Sequence, residues 1–301
     1  MITEEQRIAR QRGIGGSDAA AIMGLSPYAT PLQLWLQKTG QAEPPNLDDA
    51  EPVQWGNVLE DPVAKEFARR QGIRLAKVNA TLQHKDFPFM LGHLDRRVVG
   101  APEIVEIKTV RGLDDDAPRP DHVYQVRHYM AVTNMLRAHI VYLVAGQTLK
   151  HYIIERDGKI EQDMIARERE FWQHVESHTP PPVMSALDAR LLFEQGTEAT
   201  TLADAKVMEA AARLRELRAY AKTLEGEIET CQAAIMAGMG DASTLLDAEG
   251  RTLATWKSAK PSRSFDRARF EKEQPELAER YMVERPGSRR FLLKEIKEAA
   301  A

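Results

Sequence analysis

The sequence predicts an α/β domain followed by a long helical extension, and three patterns indicate this class. Two strand-like apolar runs, at residues 87–99 and 105–109, enclose a turn signal at residues 100–102 (Gly-Ala-Pro). A third apolar run, at residues 138–145, follows a helical segment, as expected where helices and strands alternate. Beyond residue 182 the pattern changes to a heptad repeat, which is typical of a coiled-coil helix.

The N-terminal segment is predicted to contain two short helices separated by a glycine-rich turn. Residues 3–12 have a helical pattern, and the turn at residues 13–16 (Gly-Ile-Gly-Gly) interrupts it. Ser17 and Asp18 are residue types that cap helices, which predicts a helix over residues 18–24. The start of a helix presents free N–H groups and the positive end of the helix dipole, and both suit a phosphate.

Two longer helices are predicted before the first strand. Leucines and a tryptophan recur on one face of residues 31–39, which indicates a helix. A loop rich in proline and aspartate follows at residues 41–52. Residues 54–71 then have a helical pattern, which we expect Pro62 to bend or restart because proline lacks an N–H donor.

The second half of the domain is predicted to be helix, hairpin and closing helix. Residues 121–137 have a helical pattern, and the apolar run at 138–145 predicts a buried strand. A turn at Gly146 leads to its hairpin partner at residues 149–155. A helix over residues 159–177 then closes the domain before a run of prolines.

A heptad repeat predicts one long helix after the domain. One such helix cannot bury its own apolar stripe, so a partner is expected in this chain or in another subunit. Cys231 lies on the stripe and is interpreted as a small core residue. The stripe residues are Val207, Ala210, Leu214, Leu217, Ala221, Leu224, Ile228, Cys231 and Ile235.

The predicted domains are therefore residues 1–185, a linker with the coiled-coil helix at 186–240, and a small unit at 241–301. The small unit is expected to contain a hairpin, and a helix that starts at residues 264–266. After residue 250, lysine and arginine outnumber the acidic residues, although the net charge of the chain is −4. This basic segment suits contact with DNA or a partner protein, and it equally suits an ordinary solvated capping unit.

Composition is compatible with an intracellular enzyme. The chain has 301 residues, of which 43% are hydrophobic, enough for a buried core with an appended segment. The single cysteine leaves no disulfide framework and rules out an iron–sulfur cluster with four cysteine ligands. No apolar run approaches the roughly 20 residues of a membrane span, and no signal peptide is evident, so we expect a cytoplasmic protein without membrane contact.

Asp95, Glu106 and Lys108 form the grouping with the clearest chemistry. Glu106 and Lys108 lie two apart in a strand and share a face, whereas Ile107 points the other way into the core. The hairpin brings Asp95 beside Glu106. Carboxylate oxygens are the ligands that Mg²⁺ prefers, and metal ions held there activate water against a phosphodiester. Taken alone the spacing is weak evidence, because such strings often arise by chance, and it favours a hairpin with surface charges and one salt bridge.

Histidines near residue 125 suggest a zinc site only weakly. His122 follows Asp121, and His128 lies two turns further along the same predicted helix. A second pair with zinc-ligand spacing is missing from the sequence, so these histidines are interpreted as structural.

Four stretches in this order resemble the phage-type exonucleases. These are the YqaJ-like viral recombinases and the phage lambda exonuclease, within the PD-(D/E)-x-K nuclease superfamily. Together the stretches span about residues 7–185. They are the glycine-rich segment 12–24 with 26–28 and 34–35, the segment 55–60 (Trp-Gly-Asn-Val-Leu-Glu), the hairpin 95–108, and the helical segment 125–130.

The resemblance implies a restriction-endonuclease-like core, in which helices flank a mixed central sheet. It implies that Asp95 and Glu106 hold a metal ion together with the backbone carbonyl of Ile107. Lys108 would position or activate water. The metal would be Mg²⁺, and Mn²⁺ suits the same ligands.

The resemblance also implies supporting residues on two helices. Glu60 matches the family's Gly-x-x-x-Glu pattern, and Glu66 is a weaker substitute. Gln125 and Tyr129 are four residues apart and share a helix face, and in the family this glutamine lies along the active site. A solvated glutamate is the alternative interpretation of Glu60.

A 5′-phosphate site is implied at the glycine-rich turn. In lambda-type enzymes an arginine and a serine in this element hold the 5′-phosphate of the digested strand. Ser17 matches the serine, and the arginine falls on Arg10, with Arg12 as the close alternative. It is equally consistent with the sequence that Ser17 and Asp18 only cap a helix and that the arginines are solvated.

The function implied is digestion of duplex DNA from its ends in the 5′-to-3′ direction, leaving 3′ single strands for an annealing protein. The resemblance further implies a ring-shaped homo-oligomer, such as a trimer, encoded by a phage or by a prophage in a bacterial host. Two alternatives stay open. One is an endonuclease or repair nuclease of the same superfamily, and the other is a non-catalytic, DNA-bound recombination assembly factor.

Overall fold

The computed structural model describes residues 12–47, 49–113, 117–284, 287 and 289–294. The chain divides into two compact units, Met1–Leu192 and Phe193–Ala301. The helix predicted over residues 3–12 lies outside the described residues, apart from Arg12 itself.

The first unit alternates helices and strands. Its elements are α1 (Gly16–Ile22), α2 (Pro31–Lys38), α3 (Glu51–Gln71), β1 (Leu75–Lys77), β2 (Leu82–Gln83), β3 (Leu91–Gly92), β4 (Arg96–Val98), β5 (Glu103–Val110), α4 (Pro120–Thr133), β6 (Arg137–Val144), β7 (Thr148–Glu155), α5 (Gly158–Glu176) and α6 (Ala186–Leu192).

Five strands form the central sheet in the order β1-β4-β5-β6-β7. The β5–β6 pair is parallel, while β1–β4, β4–β5 and β6–β7 are antiparallel. The sheet is therefore mixed, as expected from the sequence, and α4 is the crossover that joins its two parallel strands. β2 and β3 form a separate two-stranded sheet.

Helices cover both faces of the central sheet. α3 packs on one face, where Phe67 and its neighbours contact Val105, Ile107 and Val141. α4 packs on the other face, where Val126 and others contact the side of the sheet that carries Ile104. A further cluster joins α1, α2 and α5. Because both faces are covered, β5 and β6 are buried along most of their length.

Pro62 does not restart its helix, which was one of the two effects expected of it. α3 runs without interruption from Glu51 to Gln71. Proline at position 62 removes only the hydrogen bond to the carbonyl of Val58, and its ring lies on the exposed side of the helix. The turn that follows is held by the packing of Val63, Ala64 and Phe67 in the core.

Two predicted boundaries near the site also differ. The strand expected over residues 87–99 is divided into β3 and β4, because the chain leaves one sheet and enters another between Gly92 and Arg96. The helix expected over residues 121–137 ends at Thr133, since Asn134 adopts a left-handed conformation with φ 56°. The chain then re-enters the sheet at Arg137.

The second unit begins with an extended segment and one long helix, α7 (Ala205–Met239), which Asp204 caps through the N–H of Val207. A hairpin of β8 (Thr244–Leu246) and β9 (Thr252–Thr255) follows, as predicted. Two short helices, α8 (Arg267–Glu273) and α9 (Pro275–Arg280), complete the described part. Among the described helices, none combines the length and the apolar character that crossing a membrane requires.

A buried ion pair joins α4 to α5. His128 and Glu168 are both fully buried, and Nδ1 of His128 lies 2.9 Å from Oε1 of Glu168. Nε2 of His128 lies 2.9 Å from the carbonyl oxygen of Leu91. Burial alone would lower the pKa of His128, but the Glu168 carboxylate and the Leu91 carbonyl outweigh burial and raise it. Both ring nitrogens face acceptors, so the imidazolium form is favoured and the interpretation of His128 as structural is supported.

We expect this pair to make stability fall as pH rises. A histidine whose pKa is raised on folding stabilises the protein fully below its unfolded pKa, about 6.5, and loses this contribution as pH rises through the folded pKa. Glu168→Gln should lower the free energy of unfolding by about 3–5 kcal/mol at pH 6. Urea unfolding at pH 6 and pH 9 measures both effects.

The matched control is Glu170→Gln, which removes an exposed carboxylate from the same helix. It should retain the stability and the pH dependence of the unmodified protein. A Glu168→Gln protein with an unchanged loss of stability between pH 6 and pH 9 would contradict the role given to the pair.

Candidate active site

β5 carries two charged side chains on the face that α4 covers. Glu106 and Lys108 alternate with Val105 and Ile107, which pack on the opposite face. The Glu106 side chain is only 4% exposed, and Nζ of Lys108 lies 2.8 Å from its Oε1 atom. The strand thus places a buried carboxylate and its partly exposed lysine partner next to core residues.

Asp95 lies immediately before β4 and reaches across to β5. Its Oδ2 atom accepts a hydrogen bond of 2.8 Å from the backbone N–H of Ile107. In an extended strand the N–H and C=O of one residue face the same edge. The carbonyl of Ile107 therefore faces the edge that Asp95 occupies, which supports its predicted grouping with Asp95 and Glu106.

Burial and neighbouring negative charge raise the free-energy cost of ionising both carboxyl groups. Burial raises the pKa of Asp95 well above its ordinary value, and the charge of Glu106 adds to this. Burial likewise raises the pKa of Glu106, despite the opposing effect of Lys108. Burial would lower the pKa of Lys108, but Glu106 and Asp95 outweigh burial and raise it. The group therefore favours a charged lysine and lacks sufficient positive charge for two carboxylates.

Gln125 connects α4 to the carboxylate of Glu106. Its Nε2 atom donates to Oε1 of Glu106 at 2.7 Å and to the hydroxyl of Tyr129 at 3.1 Å. Lys108 and Gln125 therefore contact the same oxygen of Glu106. Among the described residues no hydrogen bond reaches Oε2, the other oxygen of this carboxylate.

Glu60 lies near the pair but is held by an arginine. Oε1 of Glu60 lies 2.5 Å from NH1 of Arg96, which also donates to the carbonyl of Asp95 at 2.7 Å. Glu60 is close enough for its charge to contribute to the raised pKa of both Asp95 and Glu106. Arg96 is 4% exposed, and its NH2 group also reaches Asp61 at 3.2 Å. This arginine fixes the start of β4 to α3.

The glycine-rich turn is built against the same helix as Gln125. A Cβ atom at Gly16 would lie 2.5 Å from Cε1 of Tyr129 and 2.9 Å from Cγ of Gln125. α1 therefore begins in close contact with the Gln125–Tyr129 pair. Ile14 also bonds to the backbone on both sides of Met90, through Phe89 and Leu91.

Ser17 is exposed, one residue beyond this contact, and it does not cap the helix. The N-cap of α1 is Gly15, whose N–H donates to Oδ2 of Asp18 at 2.9 Å. The expected helix start at residue 18 was wrong, because Asp18 caps from inside the first turn and also pairs with Lys38 at 2.6 Å. Arg12 is exposed, and Arg10 lies outside the described residues.

The donor set suits a hard divalent cation. The buried carboxylate of Glu106 and the partly buried carboxylate of Asp95 share one lysine, and a backbone carbonyl is directed to the same edge, so added positive charge would relieve their repulsion. Within the described ranges no three His, Cys, Asp or Glu side chains group into a complete cage. Mg²⁺ fits this arrangement because it keeps several waters and binds through one or two carboxylates.

Sequence reasoning missed Arg96 and the surroundings of Lys108. Arg96 could have been found, because it is two residues before buried Val98 and so points into the core. Tyr142 is the residue paired with Lys108 on β6, and its hydroxyl lies 2.9 Å from Nδ1 of His122. Burial, with the charge of Lys108, lowers the pKa of His122 to about 4. Such contacts depend on the order of strands, which local patterns do not reveal.

Solved structures of exonucleases are among those that this chain resembles. An alkaline exonuclease, LHK-Exo, from Laribacter hongkongensis is 19% identical, with a TM-score of 0.49 over 59% of this chain and 94% of that chain. A phage-related exonuclease from Haemophilus somnus 129PT is 15% identical, with a TM-score of 0.43 over 55% of this chain and 96% of that chain.

Sequence comparison defines the family. The model of the YqaJ-like viral recombinase domain matches residues 7–136. The uncharacterized protein YqaJ of Bacillus subtilis (strain 168) is 30% identical over 320 aligned positions, which cover 98% of this chain and 95% of that protein. The chain belongs to the YqaJ-like viral recombinase family.

Gly16→Ala tests the close contact between α1 and α4. The added methyl group has to displace Tyr129 or Gln125, and overpacking of this kind costs about 1–3 kcal/mol. We expect a lower free energy of unfolding in urea. Gly158→Ala is the matched control, because a Cβ there meets nothing within 4 Å. Equal stability of the two variants would show that α1 does not constrain α4.

Proposed function

We propose that this protein is a Mg²⁺-dependent DNA exonuclease that digests duplex ends in the 5′-to-3′ direction. The observation that carries the proposal is the group of buried Glu106 with partly buried Asp95 and Lys108, in which two carboxylates share one lysine. Membership of a viral recombinase family supports DNA as the substrate. The product would be a 3′ single strand, a suitable substrate for an annealing protein.

Asp95, Glu106 and the carbonyl of Ile107 would hold the metal, and Mn²⁺ would suit the same oxygens. When bound, the metal supplies Lewis-acid polarisation of the phosphate and a more acidic water. The other catalytic roles would belong to side chains of the protein. The oxygen of water would bond to phosphorus while the water gives up a proton to solvent, the bond from phosphorus to the 3′ oxygen would break, and the 3′ oxygen would take up a proton.

Lys108 would orient the attacking water and offset charge that develops on the phosphate. Its pKa is raised by Glu106 and Asp95 against the effect of burial, so the charged form is available at neutral pH. Gln125 would hold Glu106 in place and contact the phosphate or water, while Tyr129 fixes the amide. Glu60 would add an outer contact, restrained by Arg96.

Arg10, Arg12 and Ser17 would receive the 5′-phosphate. Support comes from the close contact of Gly16 with Gln125 and Tyr129, which keeps exposed Ser17 near the carboxylate group. A ring-shaped homo-oligomer, such as a trimer, would let DNA thread through and would explain processive digestion. Both the ring and the annealing partner rest on the resemblance to lambda-type enzymes.

The proposed activity predicts loss of label from one end only. The full chain is incubated with linear duplex DNA labelled separately at its 5′ and 3′ ends, with and without Mg²⁺, beside a nicked and a closed circle. We expect metal-dependent release from 5′ ends, with the closed circle intact. Cutting of the closed circle would favour an endonuclease. The absence of cutting with Mg²⁺ or Mn²⁺ would favour a DNA-bound assembly factor.

Lys108→Ala separates chemistry from binding. Loss of a positioned group that orients water should reduce cleavage by about 100-fold or more, whereas affinity for duplex ends in Ca²⁺ should change little. Lys77→Ala is the matched control, since it removes an exposed lysine from β1 of the same sheet. Cleavage by Lys108→Ala at the rate of the control would exclude the role proposed for this lysine.

A further inference from the structure

α7 exposes most of the apolar stripe that its heptad repeat creates, and Leu214 is the stripe residue that is only partly exposed. The helix is 35 residues long, about 50 Å at 1.5 Å per residue. Every residue from 216 to 238 is exposed. Among the stripe residues, Leu217 is 47% exposed, Ile228 56% and Ile235 44%. A stripe of this length on one face of a helix is the pattern that a second helix covers in a coiled coil.

Charges beside the stripe distinguish parallel from antiparallel pairing of two copies. In heptad notation Val207 is an a position and Ala210 a d position, so Arg213 is a g position and Arg218 an e position. In a parallel pair, g faces the e position of the following heptad in the other helix. Arg213 of each copy would then face Arg218 of the other copy, and like charges at these positions disfavour pairing.

An antiparallel pair brings opposite charges together. There e faces e and g faces g of the other helix. With Ala221 of one helix level with Leu224 of the other, Arg218 faces Glu225 of the second copy, twice by symmetry. The same alignment places Leu217 against Ile228, and Leu214 against Cys231. Apolar residues fill each of these layers, and none of the facing e or g pairs carries like charges.

We propose that α7 pairs with α7 of a second copy of this chain as an antiparallel coiled coil, with Cys231 of each copy beside Leu214 of the other. An identical helix thus covers the stripe, and the opposite charges of Arg218 and Glu225 support this choice of partner. The two-fold symmetry of the pair makes it a contact distinct from the ring proposed above, and it holds whether or not the first unit is a nuclease.

The sole cysteine allows a direct test with the full chain. In the proposed alignment the two copies of Cys231 lie 17 residues apart along the pair, about 25 Å, so mild oxidation should not cross-link the unmodified protein. Leu214→Cys should instead give a disulfide-linked dimer on a non-reducing gel, because residue 214 then lies beside Cys231 of the second copy.

Two control variants define the arrangement. Leu214→Cys combined with Cys231→Ala should lose the cross-link in an antiparallel pair and keep it in a parallel one. Residue 207 would lie beside Cys231 of the second copy only if the antiparallel alignment were shifted by one heptad. Val207→Cys should therefore not cross-link in the proposed alignment. Cross-linking of the unmodified protein through Cys231, or of Val207→Cys in place of Leu214→Cys, would overturn the proposed arrangement.

Sedimentation equilibrium provides a second measurement that needs no cysteine. Leu224→Lys places a charge in the stripe and should reduce the mass of the assembly twofold. Thr223→Lys places the same charge one residue away, off the stripe, and should leave the mass unchanged. Equal masses for both variants and the unmodified protein would show that α7 does not pair with itself and that another molecule covers the stripe.

Discussion

The alternation of side chains along β5 is the constraint on which the rest of the first unit depends. This strand lies in the middle of the sheet and is covered on both faces, so every residue from Ile104 to Ile107 must suit a buried environment. Glu106 occupies one of these buried positions, and Lys108 is only partly exposed. A carboxylate in such a place is stable only with donors around it, and Lys108 and Gln125 provide them.

The neighbouring elements can be understood from that requirement. α4 has to cross the sheet where Gln125 can donate a hydrogen bond to Glu106. α1 approaches α4 so closely that residue 16 has to be glycine, because a Cβ atom there would overlap Tyr129 and Gln125. β4 has to begin immediately after Asp95, so that this carboxylate meets the N–H of Ile107. The charge of Glu60 on α3 also needs a partner, and Arg96 at the start of β4 forms an ion pair with it.

The sequence was sufficient to predict β5, β6, β7, the C-terminal hairpin and most helices, as well as the proximity of Asp95, Glu106 and Lys108, but it did not indicate β1 and β2. Alternation placed Glu106 and Lys108 on one face, and the turn at residues 100–102 predicted the hairpin that brings Asp95 to them. Local sequence patterns did not predict the features that depend on tertiary contacts. The division between β3 and β4 depends on which sheet each joins, and the continuity of α3 through Pro62 depends on core packing after it. The contact between Arg96 and Glu60 joins residues 36 positions apart, and neither residue type predicts the other.

The pairing of His128 with Glu168 limits how short a functional chain can be. The family match ends at residue 136, yet β5 acquires its parallel neighbour only from β6, and the buried imidazolium acquires its counter-charge only from α5. During synthesis, α4 is therefore complete 35 residues before the carboxylate that stabilises it is added, since α4 ends at Thr133 and the carboxylate belongs to Glu168. A buried cation without its partner costs about 3–5 kcal/mol. Residues beyond the matched segment therefore contribute to the stability of the helix that carries Gln125.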